Sequence, residues 1–122
     1  MLYSLICYNN EAVVTSWTKE EDDAVMAKLA VVHERLQKQG RLGPAVRLKS
    51  TKTATTLHKN QHPPLIVDGP YAETKEQLLG FYIVDCATHD EALGVARELA
   101  EANPGGAYEI RPVLVYLPGA LS

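Results

Sequence analysis

Hydrophobic and polar positions follow two rhythms along this chain. Residues 2–8 (LYSLICY) carry apolar side chains on both parities, the pattern of a strand covered on both faces. Asn9, Asn10 and Glu11 close it, and a loop carrying Trp17 is expected next. At Thr18-Lys19-Glu20-Glu21 the rhythm changes. This is a capping box, in which the threonine oxygen and the glutamate satisfy free N–H groups reciprocally. Val25, Leu29, Val32 and Leu36 then recur every three or four residues, which predicts a helix that Gly40 stops. A short strand is predicted over 42–48, followed by the polar run KSTKTATT. Residues 53–58 and 65–68 predict a hairpin about the turn KNQHPP. Residues 78–86 (LLGFYIVDC) form the strongest strand pattern. Thr88-His89-Asp90-Glu91 repeats the capping box, and Leu93, Ala96, Leu99 and Ala100 mark a second helical stripe. Asn103-Pro104-Gly105-Gly106 ends that helix. A last strand is predicted over 107–117, with Pro112 placing it at a sheet edge or a bulge.

The order is strand, helix, strand, inserted hairpin, strand, helix, strand. It predicts a single α+β domain over 1–122, a ferredoxin-like split βαβ arrangement. Two helices cover one face of such a sheet. Residues 2–8 and 78–86 are nevertheless apolar on both parities, so the other face needs a cover. A second copy supplies it, and the expected assembly is a homodimer forming a dimeric α+β barrel.

Composition narrows the function classes. The 122 residues are 46% hydrophobic and 22% charged, ordinary for a globular domain, with a net charge of −3. No basic stripe follows a phosphate backbone, so nucleic acid is not an expected partner. No apolar run is long enough to span a membrane, and the N-terminus lacks the features of a signal peptide. Cytoplasmic placement is expected, with Cys7 and Cys86 reduced. No nucleotide loop, metal cage or Ser–His–Asp ordering is present, so neither cofactor nor metal is expected.

The densest chemistry lies in DGPYAETKEQLLGFY, starting at Asp68. Asp68-Gly69-Pro70 reads as a turn, with the aspartate bonding its own backbone or acting as a base or ligand-orienting carboxylate. Glu73, Lys75 and Glu76 crowd a short connection, either as a solvated loop or as a polar cluster over a cleft. The stretch closely resembles the DGPF-type signature of the YCII-related family, departing from it at Tyr71 and Leu79, and YEIRPV resembles that family's closing strand. The resemblance spans essentially the whole chain. It implies a ferredoxin-like fold, dimeric α+β barrels, and a genomic context beside extracytoplasmic-function sigma factors. Relatives of the founding type carry a His–Asp pair in a cleft between subunits. The aspartate of that pair lies in a D-P dipeptide after the second helix, where this chain has Asn103-Pro104. Its histidine lies early in the first helix, whereas His33 lies in the second half. The resemblance therefore does not carry the dyad over.

The ligand-binding candidates are Asp68, Tyr71, Glu73, Lys75, Tyr82 and Arg111. Arg111, beside Glu109 on one strand face, suits a carboxylate fork or an ion pair within the dimer. Tyr8, Tyr71 and Tyr82 suit a cleft lining or interface packing. His33 reads as a boundary histidine with a structural hydrogen bond. His58 and His62 sit in a hairpin without a third ligand, and His89 belongs to a helix cap. The expected function is binding of a small organic molecule, anions included, in a cleft roofed by residues 68–77. The alternatives are an isomerase, lyase or hydrolase acting on a lactone-like substrate with Asp68 as base, and an accessory protein that binds another protein near a sigma factor.

Overall fold

The computed structural model describes residues 1–121. Its elements are β1 (Leu2–Asn10), α1 (Glu11–Thr15), α2 (Lys19–Lys38), β2 (Leu42–Arg47), β3 (Thr55–His58), β4 (Leu65–Asp68), β5 (Glu76–Asp85), α3 (His89–Ala102) and β6 (Ala107–Pro112), with one 3₁₀ turn at Thr51–Thr53. Strands β2-β5-β1-β6 form an antiparallel sheet in that order, and β3-β4 form a separate hairpin. This is the expected ferredoxin-like α+β arrangement, hairpin insertion included.

The capping box at Thr18 forms in full, and the one expected at Thr88 forms only in its threonine half. The Thr18 hydroxyl accepts from the Glu21 N–H at 3.1 Å, and Glu21 accepts from the Thr18 N–H at 3.2 Å. Gly40 adopts φ 68°, and Gly40 and Arg41 donate to the carbonyls of Gln37 and Leu36, closing α2 with a Schellman motif. At α3 the Thr88 hydroxyl accepts from the Glu91 N–H, while the Glu91 carboxylate takes the Ala87 N–H and Arg41.

Tyr3 and Leu5 of β1 and Val84 of β5 point into the core against Leu29 and Leu36 of α2 and Val95, Ala96 and Leu99 of α3. The α3 stripe is turned from the one expected. Ala92, Val95, Ala96, Leu99 and Ala102 are buried, and Ala100 is exposed. The three-and-four spacing from Ala92 to Ala102 selects small residues that let the helix lie close to the sheet.

Three local differences from the sequence reading have plain causes. The segment before Trp17 is not a loop throughout, because Glu11–Thr15 make a short helix capped by Asn10, whose side chain accepts from Ala12. The last strand ends at Pro112, not at residue 117. Tyr3 is paired with Pro112 and Leu2 accepts from Val113, so β6 runs past the start of β1 and has no further partner. Cys7 and Cys86 lie on neighbouring stretches but far apart along them. Cys7 is opposite Gly80, whereas Cys86 is level with Met1, and both are free thiols.

Candidate functional site

Between α2 and the sheet lies a cavity of about 180 Å³. Its apolar walls come from several elements: Val14 of α1, Trp17, Val25, Met26 and Leu29 of α2, and Ala45 of β2. The sheet side is shaped by a register irregularity. Cys7 pairs with Gly80, but Tyr8 pairs with Leu78, so Leu79 is left out of the ladder with β1. Gly80 forms part of this floor. A Cβ there would stand 2.2 Å from the Val46 carbonyl oxygen, so only glycine lets β2 and β5 approach this closely.

A polar cluster occupies the sheet side of the cavity. Cys7, Tyr82 and Tyr108 come from the three strands β1, β5 and β6, His33 from α2, and Asn103 from the end of α3. His33 Nε2 lies 2.8 Å from the Tyr82 hydroxyl, with ring centroids 5.3 Å apart. The rings of Tyr82 and Tyr108 are 6.5 Å apart. Burial pushes the Tyr82 phenol up to about 12, reinforced by the Cys7 thiol. Burial likewise raises Tyr108, with Cys7 adding to the effect. It raises the Cys7 thiol, against a hydrogen bond from Tyr108. It lowers His33 below the ordinary histidine value. Desolvation thus favours the uncharged form of each of these groups. They are hydrogen-bonding groups in an apolar setting.

Among the described residues, Arg47 is the single permanently charged one on the cavity lining. Its guanidinium is committed elsewhere, donating to the Asp22 carboxylate through both terminal nitrogens at 2.7 and 3.2 Å. This fork ties β2 to the first turn of α2. The hydrogen bond from Arg47 holds the Asp22 carboxyl below its usual range.

The six residues singled out from the sequence fall in three places. Tyr82 faces the cavity just described. Asp68, Glu73 and Lys75 line a separate open groove, with Glu11 and Thr51. There the Glu11 carboxylate accepts from both the N–H and the hydroxyl of Thr51, which ties α1 to the 3₁₀ turn. No hydrogen bond to the Asp68 side chain is present among the described residues. Gly69 makes the turn's bonds instead, donating to Ala54 and accepting from the Thr56 hydroxyl. Tyr71 is 83% exposed, with its ring 5.9 Å from that of His58. Arg111 sits on edge strand β6 opposite Ser4, and its neighbour Glu109 accepts from the Tyr8 hydroxyl at 3.3 Å.

Cys7, His33, Asn103 and Tyr108 were not among those six. Simple periodicity points to three of them, whereas Asn103 follows the end of α3 and shows no such signal. Cys7 follows Tyr3 and Leu5 at strand spacing, Tyr108 precedes Ile110 by two, and His33 stands four residues after Leu29 and three before Leu36. Each of these three lines the cavity.

The YCII-related domain model matches residues 1–116. The chain belongs to the YCII-related family. It is also 52% identical over 122 residues to an uncharacterized protein of Rhizobium meliloti (strain 1021), covering 99% of this chain and 98% of that protein. For this YCII-related chain the fold brings His33 and Asn103 onto one cavity, although the helix position of His33 differs from the one the resemblance implies. The amide of Asn103 supplies no carboxylate there.

Proposed function

We propose that the protein binds a small organic molecule in the cavity between α2 and the sheet. One observation carries this reading: a cavity of about 180 Å³ with apolar walls and uncharged hydrogen-bonding side chains on one side. Apolar cavities of roughly 150 Å³ accept a benzene-sized guest, and a few convergent polar groups are what orients a ligand. Tyr82, alone among the six sequence candidates, belongs to this site. Thermal shift against a panel of one-ring compounds tests the proposal. A ligand at a hundred times its Kd adds about 2.7 kcal/mol of stability. The shift should vanish in Ala45→Phe, which fills the cavity. A panel without any stabilising compound would count against it.

A second reading keeps the ligand at the Asp68 groove, with Asp68 as base or anchor and Glu73 and Lys75 beside it. The observation favouring it is that the Asp68 carboxylate has no hydrogen-bond partner among the described residues. Asp68→Asn separates the two readings, because it abolishes binding only if the groove is the site.

The same proposal includes a homodimer. Ile6, Phe81 and Ile83 alternate away from the helices. Leu57, Leu65, Ile66 and Val67 of the hairpin and Leu114, Val115 and Leu117 beyond β6 are exposed. That much exposed apolar surface calls for a partner, and a two-fold copy is the simplest. Light scattering should give twice the chain mass. The free thiols of Cys7 and Cys86 suit a reducing compartment, and we place the protein in the cytoplasm. No described helix is long and apolar enough to cross a membrane.

A further inference from the structure

We propose that the α2 cavity selects an uncharged, single-ring molecule bearing one hydroxyl or carbonyl group, and that the Arg47–Asp22 fork is what keeps anions out. The inference rests on the reading that this cavity is the binding site, and narrows it to a ligand class.

Size sets the first limit. A space of about 180 Å³ holds one ring with a short substituent. Charge sets the second. Among the described residues no aspartate or glutamate lines the cavity, so a cation would meet no counter-ion. An anion would look to Arg47, but that guanidinium already holds both oxygens of Asp22. A carboxylate entering the cavity would either displace Asp22 or lie unpaired against Leu29, Met26 and Trp17, and a buried unpaired charge is strongly disfavoured. Polar groups set the third limit. His33, Tyr82, Cys7 and Tyr108 offer neutral donors and acceptors clustered at the sheet side, with apolar walls elsewhere. That arrangement fits a molecule with one polar end and one greasy end.

Three probes of one shape and different charge test this at pH 7: benzyl alcohol, benzoate and benzylammonium. Trp17 is the chain's one tryptophan and lines the cavity, so its fluorescence reports occupancy. Benzyl alcohol should bind at least ten-fold more tightly than either ion. Asp22→Asn releases Arg47 and should recover several-fold in benzoate affinity while leaving benzyl alcohol little changed. Arg47→Gln in the Asp22→Asn background should remove that gain. Equal or tighter binding of either ion to the wild type would overturn the charge selection while leaving the cavity as a binding site. A benzoate affinity unmoved by Asp22→Asn would overturn the role of the fork. Silence from all three probes, in a chain whose melting shows that it is folded, would overturn both the inference and the binding reading beneath it.

Discussion

The two long helices lie on the same face of one sheet and use it differently. In α3, five of fourteen residues are buried, three of them alanines, so the backbone lies close and the contact is filled. In α2, two of twenty are buried, Leu29 and Leu36, and the stretch from Val25 to His33 leaves the cavity open beneath it. One helix closes the core, and the other roofs a space. The difference traces to residue size and polarity. Ala92, Ala96 and Ala102 let α3 settle, whereas Met26 and His33 on α2, with Trp17 before it, meet a sheet floor pinched at Gly80.

The largest expected effects lie in the filled core, to which both helices contribute. Leu99→Ala or Leu36→Ala, each at a fully buried position, should cost about 3 kcal/mol in denaturant unfolding. Met26→Ala, on the cavity wall and 40% exposed, should cost less than about 1 kcal/mol. Equal costs would erase the contrast between the filled core and the cavity wall.

Next comes overpacking. Ala96→Leu should destabilise by about 2 kcal/mol, because α3 has no spare room, whereas Ala45→Leu should be near neutral, because it grows into the cavity. Gly80→Ala should cost a similar 1–3 kcal/mol, about the amount for a side chain forced against backbone. A tolerated Ala96→Leu with a damaging Ala45→Leu would reverse the assignment of filled and open halves.

Smaller effects sit at the cavity's rim and polar side. Asp22→Asn should cost at most about 1 kcal/mol at pH 7, since the fork with Arg47 is partly exposed. Its depressed carboxyl stabilises the fold above the ordinary aspartate value of 3.8 and loses that contribution as pH falls through the lower folded value. The difference between wild type and variant should therefore shrink under acid.

The smallest effect is a pH slope. Burial lowers the His33 value, so the folded state binds fewer protons than the unfolded one. Stability from this group is present above the ordinary value of 6.5 and declines as pH falls below it. His33→Gln should flatten the melting-temperature curve between neutral and mildly acid pH. An unchanged slope would mean that His33 is solvated and not part of the roof.

Much of the fold was legible because its signals are periodic. The Thr18 and Thr88 caps, the α2 stripe, the hairpin and the β1 and β5 runs all emerge from local spacing. Glu11–Thr15 was not legible, since five residues are too few to show a helical period. The overlong last strand shows the opposite error. Residues 113–117 (VLVYL) are rich in strand formers, but a strand needs a partner, and the pairing with β1 ends at Pro112. The site was harder still. Asp68, Glu73 and Lys75 are conspicuous because they are charged and close together in one short segment, and they lie on an open groove. Cys7, Tyr82 and Tyr108 lie on three different strands, His33 on α2, and Asn103 at the end of α3. Strand register aligns the first three, and the packing of α2 and α3 on the sheet brings His33 and Asn103 to them.

The most direct test of the cavity uses the chain's two methionines. Met26 lines the cavity, whereas Met1 is exposed at the N-terminus with its amine 3.0 Å from Asp85. With ¹³C-methyl methionine, titration with benzyl alcohol should shift the Met26 methyl resonance along a saturating curve and leave Met1 in place. Two methyl signals that stay fixed, or that drift together without saturation, would contradict a binding cavity beneath α2.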